Sequence, residues 1–116
     1  FRLSRPAEID LRHILATSQE RWGADGRSRY AALFTAAFRK AAAEPKGPST
    51  RDRGDLLNSV RSLHLRHIRI DEPGANVHRP VHIVFYRLVD AQTIEIVRVL
   101  HERMEPTRHI GAELED

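Results

Sequence analysis

Cysteine is absent from this chain, which removes disulfides and thiolate metal sites and permits a reducing compartment. No apolar run is long enough for a membrane span or the hydrophobic stretch of a signal peptide, so no membrane association is expected. A cytoplasmic location is the expectation. Phe1 stands where a start methionine would, as in a trimmed or processed segment. Lysine is nearly missing too. Of 19 basic side chains only Lys40 and Lys46 are lysines, so the sequence pI of about 9.9 at a net charge of +3 rests on arginine. Arginine's planar fork suits carboxylate and phosphate partners. Glycine-rich phosphate loops are lacking, and none of the serines sits in a strained strand-to-helix elbow, which leaves nucleophilic catalysis without a candidate.

At 116 residues the chain is expected to be one domain, residues 1–116, long enough to bury roughly two thirds of its unfolded surface. Phe1 to Leu3 reads as a short strand. Ser4 ahead of Pro6 is a helix-start signal, because proline's missing N–H has no helical partner in the first turn. Ala7, Leu11, Ile14, Leu15, Ser18 and Trp22 then fall on one helical face, with Trp22 expected in the core and Gly23 as a left-handed C-cap. Asp25 opens a second helix whose stripe is Tyr30, Leu33, Phe34, Ala37, Phe38 and Ala41, ended by Pro45. Two short-linked helices with apolar stripes predict a helical hairpin.

Pro45 to Gly54 has loop composition and is expected to be mobile. Val60 to Ile70 reads as a strand with a bulge, since Leu63 and Leu65 share one face while Ile68 and Ile70 share the other. After a turn from Asp71 to Pro80, Val81 to Leu88 and Thr93 to Leu100 alternate as the last two strands, joined by a short hairpin connection. The predicted class is α+β in the order β-α-α-β-β-β, with the hairpin covering one face of a mainly antiparallel sheet and the other face open.

Seven histidines invite a metal hypothesis, and His64 and His67 stand three apart. In a strand that spacing points to opposite faces, so no metal site and no cofactor are expected. The candidate binding residues are Arg98, His101 and Arg103, bunched where the last strand leaves the sheet, with Arg61 and Arg87 as neighbours. If the chain cuts RNA, His101 is the candidate proton carrier, with Arg61 and Arg98 as clamps on the scissile phosphate. The plainer alternative is that His101 caps a carbonyl and the arginines pair with acids. Phe85 and Tyr86 are neighbours on a strand, so one of them faces away from the helices, either stacking on a partner beside Arg87 or packing at the sheet edge.

The motifs Leu3-Ser4, Ala7, Asp10-Leu11, Trp22-Gly23, Val60-Arg61, His82-Ile83, Tyr86-Arg87, Arg98-Val99-Leu100-His101 and Arg103-Met104 together resemble the ParE branch of the ParE/RelE toxins of bacterial toxin–antitoxin pairs. The resemblance spans nearly the whole chain and implies the same fold. It implies a toxin that inhibits DNA gyrase by protein recognition, with no catalytic set, and a ParD-like antitoxin that wraps around it. Direct DNA binding by the toxin alone is not implied. RelE-like members cut messenger RNA on the ribosome, and that endoribonuclease activity is the alternative. Leu11, Leu15, Phe34 and Phe38, as apolar surface that two helices leave over, are the expected antitoxin-binding residues. The sequence departs from the common pattern at Arg5 before Pro6 and in the long connection from Asp71 to Pro80.

Overall fold

A computed structural model describes residues 1–111. The elements run β1 (Arg2–Leu3), α1 (Arg5–Ala43), β2 (Thr50–Asp52), β3 (Val60–His64), a 3-10 turn (Leu65–His67), β4 (His82–Leu88), β5 (Ile94–His101) and a second 3-10 turn (Pro106–Arg108). The five strands form one sheet in the order β1-β5-β4-β3-β2, antiparallel except for the parallel β1–β5 pair. The fold is α+β.

Helix α1 begins as its sequence signals. The Ser4 hydroxyl accepts from the Ala7 N–H at 3.1 Å and donates to the Val97 carbonyl at 2.9 Å, so the residue that caps the helix also ties it to β5. The helical path breaks at Gly23, at φ 75° and ψ −173°. The positive φ is the one expected, although ψ lies outside the left-handed helical well. A Cβ there would meet nothing within 4 Å, so glycine is required by conformation and not by space. A straight helix of this length would span roughly 58 Å. The longest extent of the molecule is 37 Å, so the two halves must fold back on each other, giving the helical hairpin.

The apolar stripes of both halves meet one face of the sheet. Tyr30, Leu33, Phe34, Ala37 and Phe38 pack with Leu63, Val84, Tyr86, Ile94, Ile96 and Val99, with Leu11, Ile14 and Leu15 at the margin. The strand residues in this cluster alternate as a half-buried strand requires. A bulge shifts the register, pairing Phe85 with Arg98 and Tyr86 with Ile96 and leaving Val97 opposite no residue.

Three sequence expectations need correction. Pro45 to Gly54 is not all loop: Thr50–Asp52 pairs antiparallel with Leu63, Ser62 and Arg61 as an edge strand. The strand from Val60 stops at His64, and a 3-10 turn rather than a bulge turns Leu65 and Ile68 into the same cluster as Leu63. The second sheet face is not open. Val60, Phe85, Val97 and Leu100 are buried there beneath Leu56, Leu57 and Ile110. As expected, one aromatic of the Phe85–Tyr86 pair faces away from the helices: Phe85 packs in this second cluster and does not stack on a partner, while Tyr86 belongs to the first, where its hydroxyl donates to the Pro45 carbonyl at 2.5 Å.

Candidate functional site

The sheet does not gather the five predicted binding residues into one cluster. Arg98 donates from Nε and Nη2 to the two carboxylate oxygens of Asp10 at 2.8 and 2.9 Å, and from Nη1 to the His109 carbonyl at 2.9 Å. Both side chains of this pair are only 13% exposed. Asp10 also accepts from the Val99 N–H at 2.9 Å. Strand β1 pairs β5 only at Glu95 and Ile96, so beyond it the Ser4 hydroxyl and the Asp10 carboxylate serve the bare edge of β5. Arg98 is therefore a fold-holding cation.

Arg87 shares the Glu95 carboxylate with Arg2, each at 3.1 Å. Arg61 donates to the Thr50 hydroxyl at 2.9 Å and lies beside the Tyr86 hydroxyl, whose pKa burial pushes up while Thr50 and Arg61 partly offset it. Arg61 stands opposite Tyr86 and His101 opposite His82, four residues apart on β4, which is about 13 Å. Arg61, Arg98 and His101 thus do not converge as a phosphate clamp around one proton carrier. Arg103 is exposed and borders a small cleft of about 410 Å³ with Arg53, Met104 and Glu105.

His101 belongs to a histidine group at the end of the sheet. Its Nδ1 accepts from the Arg103 N–H at 3.1 Å, so a neutral ring carries its proton on Nε2. The ring meets His82 edge-on, with centroids 5.5 Å apart. The His82 Nδ1 lies 2.5 Å from the Tyr30 hydroxyl, which itself accepts from the Val81 N–H at 3.4 Å. Burial, with the His101 charge adding to it, pushes His82 down to about 4, and burial pushes Tyr30 up to about 12. The hydroxyl therefore keeps its proton and donates it to a neutral imidazole. His64 accepts from the Arg66 N–H at Nδ1 and donates from Nε2 to Glu102 at 2.7 Å, which holds the Glu102 carboxyl below its usual range. No cluster of three or more metal-ligating side chains occurs among the described residues.

The expected antitoxin surface is half removed. Phe34 and Phe38 are 2% and 4% exposed and belong to the core, whereas Leu11 and Leu15 are half-buried and reachable. Trp22, expected in the core, is 69% exposed. Its helical face is right but its place along the helix is not, because the chain turns at Gly23 and carries the indole past the packed part of the sheet. Instead it borders a groove of about 850 Å³ between the hairpin tip and residues 76–82. Ile14, Val77 and Val81 contribute apolar lining, and Arg21, Arg29, Arg79, His13, His78, His82 and His101 the basic groups. Nothing in the sequence pattern announces this groove, since its walls lie 50 residues apart in the chain and one of them is irregular.

Comparison with known proteins bears on the whole of this architecture. Residues 1–106 match the family described as the ParE toxin of the type II toxin–antitoxin system parDE. The chain belongs to the ParE toxin family. It is similar to Toxin ParE1 of Caulobacter vibrioides, 32% identical over 111 residues that cover 96% of this chain and 97% of that protein. It is likewise similar to Toxin ParE1 of Mycobacterium tuberculosis strain CDC 1551, 30% identical over 111 residues covering 95% and 96%. As a ParE toxin of a type II system the chain has an antitoxin partner. No helix among the described residues is long and apolar enough to cross a membrane.

Proposed function

We propose that this ParE-family toxin inhibits DNA gyrase by binding it, and that a ParD-like antitoxin neutralises the toxin. What supports binding over catalysis is the internal commitment of the sheet cations: Arg98 is held by Asp10, Arg87 by Glu95, and Arg61 lies about 13 Å along the sheet from His101. An RNA-cleaving centre needs a proton acceptor, a proton donor and a cation around one phosphate. Here the ring that meets His101 is His82, and neither predicted clamp, Arg61 or Arg98, is hydrogen-bonded to His101. Protein recognition makes no such demand, and it leaves the chain without an enzymatic activity of its own.

Two assays on the same preparation test the reading. Purified toxin added to gyrase should reduce supercoiling, and cellular messages mapped by primer extension after toxin induction should remain uncut. Site-specific message cleavage with normal supercoiling would reassign the toxin to the ribosome-dependent endoribonucleases of the RelE branch.

A further inference from the structure

Trp22 is the single tryptophan of the chain and the most exposed large apolar side chain among the described residues, yet it is seated. A Cβ on Gly26 would lie 2.2 Å from the Trp22 Cβ, so glycine there is what lets the base of the indole pack at the hairpin tip. The groove that it borders has Ile14, Val77 and Val81 as apolar lining. The wall opposite the tip is fixed in place: Asn76 accepts from the Ile70 N–H at 2.9 Å and donates back to the Ile70 carbonyl at 2.8 Å, while the Tyr30 hydroxyl accepts from the Val81 N–H at 3.4 Å. Arg21, Arg29 and Arg79 line the groove, and among the described residues no carboxylate lines it and none of these arginines makes an ion pair. On the tip itself, outside the groove lining, Glu20 and Asp25 are exposed and likewise without an ion pair among the described residues.

We propose that in the free toxin a second copy of this chain covers the groove, in a two-fold symmetric dimer where each hairpin tip lies against the 76–82 wall of the other copy. Trp22 of each copy then packs on Ile14 and Val77 of the other, and Asp25 of each faces Arg79 of the other. The chain itself carries both halves of this contact. A cationic groove without a carboxylate and an acidic tip without a cation stand side by side on one surface, and a two-fold axis sets each against its complement. The size fits as well. A standard interface takes about 800 Å² and about 20 residues from each partner, here a tenth of the 7515 Å² surface. The groove is lined by 17 residues, and tip residues 20 and 23–25 bring the patch to that number. A nucleic acid strand would meet the arginines but would leave the aliphatic floor and the acidic tip unmatched. Exposed tryptophan and arginine are the residue types that dominate binding once a partner desolvates them. The dimer is a property of the free toxin and does not depend on its cellular target.

Sedimentation equilibrium of the purified toxin, before and after nuclease treatment, reads mass against concentration, and Trp22 emission reads the contact itself, since no other tryptophan contributes. The mass should rise to that of two chains, with a blue shift of the emission and weaker acrylamide quenching over the same concentrations. Trp22→Ala should raise the dissociation constant about thirtyfold or more, as for an interface anchor, with an unchanged thermal melt. Asp25→Arg and Arg79→Asp should each weaken self-association; aspartate is among the residue types that visit the left-handed region, so it suits the φ of 54° at position 79. An equimolar mixture of these two variants should associate again, because opposite charges then meet at both contacts, and recovery on mixing cannot come from misfolded chains. A wild-type toxin still monomeric at hundreds of micromolar overturns the proposal. So does a dimer whose Trp22 emission stays unshifted, or one that all three variants leave intact, since its contact then lies elsewhere. A mass increase lost on nuclease treatment also overturns it, in favour of a nucleic acid occupant.

Discussion

Removing the Asp10 carboxylate should unfold the toxin far more easily than any change to its exposed arginines. In the native chain the carboxylate takes three hydrogen bonds, two from Arg98 and one from the Val99 N–H. Asp10→Ala leaves a guanidinium that is mostly withdrawn from water with the His109 carbonyl, and it strips the acceptor from a strand-edge N–H. Breaking a buried pair by removing one member costs about 3–5 kcal/mol. The 13% exposure of both side chains lets water reach the guanidinium once the carboxylate is gone, so the lower end, about 3 kcal/mol, applies. For a chain of this size that is a fall in Tm of about 12 °C. Arg98→Ala should cost a similar amount from the other side, and the double variant Asp10→Ala/Arg98→Ala should cost much less than the sum.

Urea denaturation of the four proteins closes a double-mutant cycle that isolates the pair. Additive losses, with a coupling energy under about 0.5 kcal/mol, would refute the claim that Arg98 is held by Asp10 as part of the fold. The same melts bear on function. Were Arg98 an exposed clamp for phosphate or a partner, its removal would stay within about half a kcal/mol, as ordinary surface changes do.

Two further outcomes are expected. Gly23→Ala should destabilise by about 1–3 kcal/mol, since the φ of 75° with extended ψ is open to glycine alone, and a wild-type melt would show that the reversal of the helix does not depend on that conformation. Stability should fall between pH 7 and pH 5: burial holds His82 near 4 in the folded chain while the unfolded imidazole titrates near 6.5, so the unfolded state takes the proton first and the stability present above about pH 6.5 is lost toward pH 4, by up to about 2 kcal/mol at pH 5. His82→Gln should lose less over that interval, and equal urea-midpoint shifts in the two proteins would refute the assignment.

Local patterns carried the fold wherever one residue type forces one conformation. Ser4 before Pro6 starts the helix, a glycine after Trp22 turns it, and runs rich in β-branched and aromatic residues mark β4 and β5. What stayed hidden is made by tertiary pairing. Thr50-Arg51-Asp52 lies between Pro48 and Gly54 and has turn composition, yet β3 recruits it as an edge strand because its backbone groups need partners. Leu56, Leu57 and Ile110 lie outside every predicted element, and so the covered second face was invisible. Trp22 fitted its helical stripe, but periodicity gives an angle about the helix axis and says nothing of how far the sheet extends beneath it. For the candidate site, alternation placed Arg98 and His101 on opposite faces of β5, while the partner that decides the role of Arg98 sits 88 residues earlier, at Asp10.

A cation on a sheet of this kind is exposed to two competing demands. An arginine beside β-strand backbone lies within reach of the carboxylates and carbonyls that strand edges and helix ends bring together, and a part-buried guanidinium without such partners is costly. Arg87 and Arg98 therefore acquire carboxylate partners, and Arg61 a hydroxyl, as a condition of lying on the sheet. Among the described residues, arginines away from the sheet, such as Arg21, Arg79 and Arg103, make no ion pair. This is why ranking arginines by their position on strands selects those most committed to the fold.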